Sequence, residues 1–588
     1  MDDAGFTRAS VRIILARAAI ATGHSREAHG TIMSIQKLTG RAAFIKLLLD
    51  EGVTHLFGNP GTTELAIMEA VPQFPELTYV LGLQESVVVG MADGFARASG
   101  RLTAVNLHCA PGLGHAMGAI YSAKFSGSPL LITAGQYEIG YGLQEPLLYE
   151  PLVEIAKPLV KWAFEVTRIE DLPRIVRRAA KIAMTPPMGP VFLSLPGSIL
   201  DDEAQIEFGF PTRVDAATRP SDEMLALLAA RMLSAERPVI VAGRELAQRD
   251  VLAEACELAE LLGAAVYQES VPYNARFPSS HPACMGDLTR NQVRVRKTLE
   301  QHDFLLCLGA DLLRMSPLGA VDPMPDGLPV MHISERDWEL GKNYPVEHAV
   351  RADVRETLRA LLPILRRSRS ADQADRARAR LQALAAHNWS ANRDQRRTEF
   401  LAAAAAKPID QRYLITQLVD ALPKDVVVVD ETLTASPAIA AMIPMDEAKS
   451  FFGLASGGLG FGMAGAVGVA LAQPDRPVVA TIGDGSAMYS IQALWTAAHL
   501  RLPITYVIIN NRSYRIIKER LMAMRGTDQF VAMDMSDPPI DFAGVARSMG
   551  VESRCVTEPA DLAGVLQEAL ASGRPNLVEV VVADGFGH

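Results

Sequence analysis

Cysteine is scarce in this sequence, with five residues in 588 and no CxxC pair. Structural zinc sites and disulfide frameworks need closely spaced ligands or an even set of half-cystines. The sequence therefore excludes both as organising elements, and an odd, dispersed set is typical of reduced thiols in a cytosolic protein. The five positions are Cys109, Cys256, Cys284, Cys307 and Cys555.

The sequence also lacks a basic excess. It contains 57 Lys and Arg against 67 Asp and Glu, a net charge of −10. Binding to nucleic acid needs a basic surface, so this balance favours small-molecule chemistry and excludes a nucleic-acid partner. Residues 451–473 carry no charge over a membrane-spanning length, but seven of them are glycine. We interpret this stretch as a buried strand, turn and helix, and predict no membrane contact.

Chain length and patterning predict three α/β domains. A chain of this length is too long for one hydrophobic core, and about 150–200 residues per domain is usual. Runs rich in β-formers alternate with helical segments, which is typical of doubly wound parallel sheets. The alternation has a similar order in all three units, which favours related folds. We place the domains at 34–205, 206–365 and 409–588, with an Arg- and Ala-rich linker at 366–408.

Residues 1–33 do not fit this pattern. They carry four arginines amid short apolar runs and no uninterrupted apolar core before a cleavage site, so a signal peptide is not predicted. We expect a disordered tail, or a stretch that precedes the true start of translation.

The most informative segment is Gly483–Ser486, which follows the apolar run PVVATI. Glycines on both sides of Asp484 allow a sharp turn that brings backbone N–H groups to an anion at a helix N-terminus. Asn511 stands 27 residues further on, after the next predicted strand. Carboxylate and amide oxygens suit Mg²⁺, which commonly holds a diphosphate. The pair therefore predicts a metal and diphosphate site.

A second glycine motif offers an alternative. Residues 460–465 fit GxGxxG, the pattern of dinucleotide-binding folds, and Asp484 lies near the distance expected of a ribose-binding acid. Asp484, however, lies inside a second anion-binding turn, and one aspartate does not easily serve both roles. A dinucleotide-dependent oxidoreductase is therefore kept as the less favoured alternative.

Three polar residues follow successive strands of the first predicted domain: Thr62, Glu85 and His108. Open α/β sheets bind ligands at the carboxyl ends of their strands. Each residue also has a structural explanation, as a helix cap, a first-turn acid and a hydrogen-bonded histidine. Cys109 follows His108, but neighbouring residues on a strand point to opposite faces, so we do not expect a thiol–imidazole pair.

Five motifs, in order along residues 34–588, make the chain resemble the thiamine-diphosphate-dependent decarboxylases, above all benzoylformate decarboxylase. Pyruvate decarboxylases and acetolactate synthases share the framework. The resemblance implies pyrimidine-binding, middle and diphosphate-binding domains in that order. The motifs are FGNPGTTEL, LQESVVVGMADGFARASG, NLHCAPGLGHAMG, GGLGFGMAGAVGVALA and IGDGSAMYSIQALWTAAH.

The resemblance implies thiamine diphosphate and Mg²⁺ as cofactors and suggests a role for each site residue. Glu85 would hydrogen-bond the aminopyrimidine ring and activate the cofactor, and Leu459 would be the apolar wedge that bends it. Thr62 and His108 would orient the substrate carboxylate and transfer protons. Gly457 would offer its carbonyl to the aminopyrimidine. The diphosphate would be contacted by Ser436, Gly485 and Ser486, with Tyr514 nearby. The metal would be held by Asp484, Asn511 and the Ser513 carbonyl.

The same resemblance implies a 2-keto acid substrate, a benzoylformate-like acid that loses CO₂ and yields an aldehyde. Carboligation of the acetolactate-synthase type is the alternative, because the framework is shared. Glu85 and His108 would belong to the active site of one subunit, and Asp484 and Asn511 would come from its partner. A homodimer would thus be the minimum unit and a homotetramer typical, in the cytoplasm.

Three features depart from the family pattern. Thr62 replaces a serine. Ser316 stands where the family has a second active-site histidine; without that proton carrier the timing of aldehyde release is not determined, and carboligation would be favoured. Residues 514–520 form a helix that is more basic than an aromatic-substrate pocket requires, so it is either a solvated face or a contact for a second anionic group. The middle domain has no obvious flavin signature, and FAD is not predicted.

Overall fold

The computed structural model describes residues 35–315 and 319–586. Within these ranges the chain forms three six-stranded sheets in which every strand pair is parallel, and one antiparallel pair. The predicted class, three parallel-sheet α/β units, is confirmed. The predicted tail at 1–33 lies outside the described residues.

The first sheet and its helices lie in the N-terminal third of the chain. The strands are β1 Ile35–Thr39, β2 His55–Gly58, β3 Thr78–Leu81, β4 Thr103–Leu107, β5 Leu130–Gln136, β6 Ala163–Glu165, β7 Val191–Pro196 and β8 Glu203–Glu207. The α-helices are α1 Gly40–Asp50, α2 Leu65–Ala70, α3 Glu85–Ser99, α4 Cys109–Ser126, α5 Leu152–Ala156, α6 Leu172–Met184 and α7 Gly197–Asp201. The sheet order is β3-β2-β4-β5-β7-β6, and β1 pairs with β8.

The second sheet follows, and two further helices connect it to the third. Its strands are β9 Pro238–Ala242, β10 Ala265–Gln268, β11 Cys284–Asp287, β12 Phe304–Leu308, β13 Val330–Ser334 and β14 His348–Arg351, in the order β11-β10-β9-β12-β13-β14. The helices are α8 Asp222–Ser234, α9 Arg244–Gln248, α10 Leu252–Leu262, α11 Gln292–Leu299 and α12 Val354–Ser368. The segment predicted as a linker contains α13 Ala371–Ala385 and α14 Trp389–Leu401.

The third sheet completes the chain. Its strands are β15 Val427–Glu431, β16 Phe451–Gly453, β17 Val478–Gly483, β18 Ile504–Asn510, β19 Glu552–Val556 and β20 Asn576–Val581, in the order β16-β15-β17-β18-β20-β19. The helices are α15 Gln411–Ala421, α16 Ser436–Met442, α17 Phe461–Ala472, α18 Asp484–Ala487, α19 Ala493–His499, α20 Arg515–Arg525, α21 Phe542–Ser548 and α22 Leu562–Ala571.

The first and third sheets share one topology, and the second differs. Numbered within each sheet, the first and third both run second, first, third, fourth, sixth, fifth, whereas the middle sheet runs third, second, first, fourth, fifth, sixth. The expectation of three related folds is therefore wrong for the middle unit. Strand order depends on which side of the sheet each crossover takes, and the periodicity of the sequence does not record that choice.

Helices α3 and α17 join the first unit to the third. They cross at glycines: a Cβ on Gly94 would overlap the backbone of Gly465, and one on Gly468 would overlap the backbone of Met91. The uncharged stretch predicted as a buried strand, turn and helix is β16 followed by α17, as expected. In the described ranges no helix has the length and apolarity needed to cross a membrane.

Candidate active site

His108, at the end of β4, is held by a carboxylate that sequence reasoning did not single out. Glu64 is fully buried, and its Oε2 lies 2.8 Å from Nδ1 of His108. The same carboxylate accepts the backbone N–H of Gly61 at 2.9 Å and that of Gly135 at 3.0 Å. With Nδ1 engaged, Nε2 is the ring nitrogen left to meet a ligand, since no protein partner reaches it from the described residues. An imidazole oriented in this way can accept or donate a proton.

Thr63, the neighbour of the predicted Thr62, supplies the hydroxyl that contacts His108. Oγ1 of Thr63 lies 3.1 Å from Nδ1 of His108 and 2.7 Å from Oε1 of Glu64. Thr62 begins a short 3₁₀ helix, is exposed, and has no side-chain hydrogen bond within the described part of the chain. Its hydroxyl is thus open to a ligand.

Cys109 begins α4 with a φ of +45°, so the chain leaves the strand conformation at this residue. Its Sγ lies 3.3 Å from Oγ1 of Thr63, the same hydroxyl that contacts His108. The argument that a strand separates the two side chains was therefore wrong. Burial raises the pKa of the Cys109 thiol, which disfavours the thiolate that a nucleophile needs.

Glu85 begins α3, directly after the loop that follows β3. Oε1 of Gln84 accepts the N–H groups of Ser86 at 2.6 Å and Val87 at 3.2 Å, so the helix is capped without Glu85. The Glu85 side chain is 11% exposed, and its Oε2 lies 3.1 Å from Nδ1 of His115. Glu85 does stand in the first turn of α3, as the structural explanation expects, but the cap does not need it, and Oε1 of its carboxyl group is available to a ligand.

Asp484 follows β17, and within the described part of the chain only one of its carboxylate oxygens has a hydrogen-bond partner. Its Oδ1 accepts the N–H of Gly485 at 2.8 Å, whereas Oδ2 is buried and receives no hydrogen bond from the described residues. Burial raises the pKa of Asp484 to about 6, and N–H groups of Gly485 and residues 511–513 act in the opposite direction. An unpartnered buried oxygen is costly. A bound cation would satisfy it, so the residue fits the predicted metal.

Asn511 and Ser513 lie beside this carboxylate in the loop after β18. Both are buried, and Oδ1 of Asn511 accepts the N–H of Ser513 at 3.0 Å. A carbonyl oxygen has two lone pairs, so Asn511 can keep this bond and still bind a cation. The described residues contain no group of three or more His, Cys, Asp or Glu side chains placed to hold a metal. A cation here would take Asp484, Asn511 and a backbone carbonyl, and oxygens of its ligand.

The turn around Gly485 and Ser486 is tightly packed. Both residues are buried in the first turn after β17. A Cβ on Gly485 would lie 2.8 Å from the ring of Tyr514, which explains glycine at this position. Tyr514 stands at the start of α20 and remains partly exposed, so it covers the turn from outside.

Ser436, predicted to contact a diphosphate, has its hydroxyl on another group. It donates to Oδ2 of Asp430 at 2.6 Å, while the hydroxyls of Thr432 and Thr481 donate to Oδ1 at 2.8 and 3.1 Å. Burial raises the pKa of Asp430, and these donors partly offset the effect. A hydroxyl has one hydrogen, so a phosphate contact through Oγ would require Ser436 to release Asp430.

Glu431 holds the loop that carries Gly457 and Leu459. Its Oε1 accepts the N–H of Gly460 at 2.7 Å, and its Oε2 accepts the N–H of Gly462. Glu431 is buried, and burial raises its pKa to about 7 against the effect of these donors. Leu459, partly buried, packs against the hydrophobic core that the first and third sheets share.

These contacts also decide against a dinucleotide site at residues 460–465. The N–H groups of Gly460 and Gly462, which would cradle a pyrophosphate, are bound to Glu431. Gly465 lies at the crossing with α3. The glycines therefore serve internal packing.

The basic helix α20 is only partly a solvated face. Lys518 is fully buried, with Nζ 2.5 Å from Oδ1 of Asp534, so that interpretation is wrong for this residue. Arg515 pairs with Glu519 at 2.8 Å. Arg520 is exposed and makes no ion pair or hydrogen bond with the described residues. Ser316, the other departure from the family pattern, lies outside the described residues.

Within one chain the predicted site residues form two groups. Thr62 and Glu85 lie with His108 at the edge of the first sheet, and Asp484 lies with Asn511 at the edge of the third. In the described ranges no hydrogen bond or ion pair joins the two groups. The sequence did not predict the residues that hold the site side chains in place, which are Thr63, Glu64, His115, Asp430 and Glu431. The signals available in the sequence were the acid after Thr62-Thr63 and the two adjacent acids that end β15.

Comparison with known proteins identifies relatives along nearly the whole chain. The sequence is 35% identical over 549 residues to benzoylformate decarboxylase of Pseudomonas aeruginosa, covering 92% of this chain and 98% of that protein. It is 27% identical to the acetolactate synthase isozyme 3 large subunit of Escherichia coli, covering 94% and 96%. Among solved structures, the 4-hydroxybenzoylformate decarboxylase of Rhodococcus jostii RHA1 matches with a TM-score of 0.82 and 31% identity, covering 93% and 99%.

Three family models match the chain in the order that the sequence motifs predicted. The N-terminal TPP binding domain of thiamine pyrophosphate enzymes matches residues 38–148, the central domain residues 225–361, and the C-terminal TPP binding domain residues 434–580. The predicted site residues Glu85 and His108 fall in the first match, and the predicted Asp484 and Asn511 in the last. The chain is therefore a member of the thiamine pyrophosphate (thiamine diphosphate) enzyme family.

Proposed function

We propose that this protein decarboxylates an aromatic, benzoylformate-like 2-keto acid to an aldehyde and CO₂, with thiamine diphosphate and Mg²⁺ as cofactors. The observation that carries the proposal is a shielded acid, Glu85, at the same sheet edge as His108, whose ring is oriented through Nδ1 by Glu64. The names of the relatives from P. aeruginosa and R. jostii, both decarboxylases, support the reaction type.

The third sheet would hold the charged end of the cofactor. Asp484, Asn511 and the Ser513 carbonyl would bind Mg²⁺, and Gly485 and Ser486 would offer backbone N–H groups to the diphosphate. Ser436 would contact this end on releasing Asp430, and Tyr514 would cover the turn. Gly457 and Glu85 would contact the aminopyrimidine, with Leu459 beneath it. When bound, the cofactor supplies a carbon nucleophile and an electron sink for the electrons released with CO₂.

The residues of the first sheet would act on the substrate. Glu64 keeps Nδ1 of His108 engaged, so Nε2 can hold a proton near the keto oxygen and deliver it to the product carbon. Thr62, exposed beside it, would donate a hydrogen bond to the substrate carboxylate. Thr63 would hold the ring of His108 against Glu64.

We propose that two chains build each site and that a homodimer is the smallest active unit, within a homotetramer. In support, no hydrogen bond or ion pair in the described ranges joins the two groups of site residues. Large apolar side chains are also exposed in the segment that follows β5, at the carboxyl edge of the first sheet. They are Ile139, Tyr141, Leu143 and Leu147.

Product stoichiometry tests the reaction. Purified protein with thiamine diphosphate and Mg²⁺ is mixed with benzoylformate, 4-hydroxybenzoylformate, pyruvate and a branched 2-keto acid, and CO₂ and organic products are measured together. The proposal expects one aldehyde for each CO₂ from an aromatic acid. One CO₂ for every two keto acids, with a carboligated product, would establish the acetolactate-synthase type instead. That second function is kept because relatives of that name match over 94% of the chain.

Complementation tests the shared site. Glu85→Gln and Asp484→Ala are each expected to be inactive alone. If the site is shared, a mixed dimer contains one site with both changes and one site with neither. Unfolding the two variants together and refolding the mixture should then restore activity. If each chain holds its own complete site, mixing restores nothing.

A further inference from the structure

Among the described residues, His115 is the one side chain that contacts the carboxylate of Glu85 at hydrogen-bonding distance. It lies on α4 two helical turns after His108, and Nδ1 lies 3.1 Å from Oε2 of Glu85. The His115 side chain is 61% exposed, whereas that of Glu85 is 11% exposed. No other ion pair reaches Glu85 from the residues that the structure describes.

The two oxygens of Glu85 therefore have different surroundings. Oε2 is engaged by His115, while Oε1 receives no hydrogen bond in the described ranges. Oε1 faces Gly112, where an added Cβ would lie 3.2 Å away. Gly112 thus leaves space beside Oε1, and the contact with His115 determines which oxygen faces that space.

We propose that His115 is a positioning residue, which fixes the carboxyl group of Glu85 through Oε2 so that Oε1 is presented to the aminopyrimidine of the cofactor. The inference rests on the proposed function of Glu85. A glutamate at the start of a helix has three rotatable side-chain bonds, and the helix cap is already supplied by Gln84. A hydrogen bond to a charged group is stronger than one between neutral groups, so this contact is the main restraint on the carboxyl group.

Three variants at one position test the contact. His115→Ala removes the partner. His115→Asn keeps an amide nitrogen close to the place of Nδ1, whereas His115→Gln places its amide nitrogen further out. The exposed His499, stacked on Trp495 in α19, supplies a matched control in His499→Asn. The readouts are the affinity for thiamine diphosphate with Mg²⁺, and the rate of hydrogen–deuterium exchange at C2 of the bound cofactor, both without substrate.

We expect His115→Ala to bind the cofactor with an affinity within about threefold of the parent, because the anchoring groups lie around Asp484. Its C2 exchange should slow on the order of tenfold to a hundredfold, which is what loss of one charge-assisted hydrogen bond corresponds to. His115→Asn should retain exchange close to the parent rate, and His115→Gln should resemble His115→Ala. His499→Asn should match the parent.

Parental exchange in His115→Ala would overturn the inference, as would equal slowing in His115→Asn and His115→Ala. Glu85→Gln in the same assay separates the inference from its premise. If Glu85→Gln exchanges at the parental rate, both the role of Glu85 and that of His115 are lost. If Glu85→Gln slows while His115→Ala does not, only the role of His115 is lost.

Discussion

Replacing Glu431 by Gln should loosen the loop of Leu459 without removing any group that touches the cofactor. The carboxylate accepts two buried N–H groups, from Gly460 and Gly462, one on each oxygen. An amide has one acceptor oxygen, so one of these donors must face an NH₂ group. A buried donor without a partner costs about 1–3 kcal/mol. We expect the free energy of unfolding to fall by about that amount, and C2 exchange of bound cofactor to slow by roughly tenfold.

Glu245→Gln is the matched control. Glu245 is also buried with a pKa that burial raises to about 7, and it accepts the Ser334 hydroxyl at 2.6 Å and the Glu335 N–H at 3.1 Å. It lies in the middle unit, and within the described ranges none of its hydrogen bonds reaches the loop of Leu459. Chemical denaturation and C2 exchange are measured on both variants. Equal slowing of exchange in both, or none in Glu431→Gln despite lost stability, would refute the reasoning.

The loss of stability in Glu431→Gln, relative to the parent, should depend on pH with a defined sign. Burial places the pKa of Glu431 at about 7 in the folded protein, above the value of about 4.3 for an unfolded chain. The folded state therefore binds more protons between these values, and ionisation of Glu431 costs stability as the pH rises through them. The destabilisation by Glu431→Gln should then be largest below pH 4.3 and shrink toward pH 7. Denaturation curves at several pH values would show this, and a loss that grows with pH would contradict it.

Three further predictions concern the metal and diphosphate turn. Asp484→Ala should abolish activity and Mg²⁺-dependent cofactor binding with little change in the circular dichroism spectrum, whereas activity retained at limiting Mg²⁺ would exclude a ligand role. Because burial raises the pKa of Asp484 to about 6, cation binding must displace a proton below that pH. The apparent Mg²⁺ affinity, measured by titration, should therefore fall about tenfold per pH unit below 6 and level off above it. Gly485→Ala should push Tyr514 from the turn and lower stability by about 1–3 kcal/mol, which a melting curve would detect, and cofactor affinity should fall with it.

Periodicity predicted the fold class but not the strand order of the middle sheet, and strand-end chemistry predicted which polar residues stand at the edges of the first and third sheets. The alternation of segments predicted three parallel sheets, and glycines around Asp484 ahead of Asn511 predicted a turn that the structure forms beside the loop after β18. These features depend on residues close in sequence or on neighbouring strands. The sequence records such local relations directly.

The partners of the site residues could not be predicted in the same way. Which of Thr62 and Thr63 meets His108 depends on a short 3₁₀ helix and on the left-handed backbone at Cys109. The contact between Glu85 and His115 depends on how α3 and α4 pack. Lys518 lies in a helix rich in charge, and only the fold shows that its ammonium group is buried against Asp534. Each is a consequence of tertiary packing with no local pattern.

The glycine crossing of α3 and α17 bears on how this protein can be engineered. Replacing a helical glycine by alanine usually stabilises a helix by roughly 0.5–1 kcal/mol, and it is a common route to thermostable variants. At Gly94 and Gly468 the added methyl group would meet backbone atoms of the opposite helix, so the sign of the effect is reversed. Since α3 begins at Glu85 and α17 follows the loop of Leu459, such a variant would also shift both helix starts. A stabilisation campaign guided by helix propensity alone would thus disturb the predicted site residues Glu85 and Leu459 from positions within the two helices.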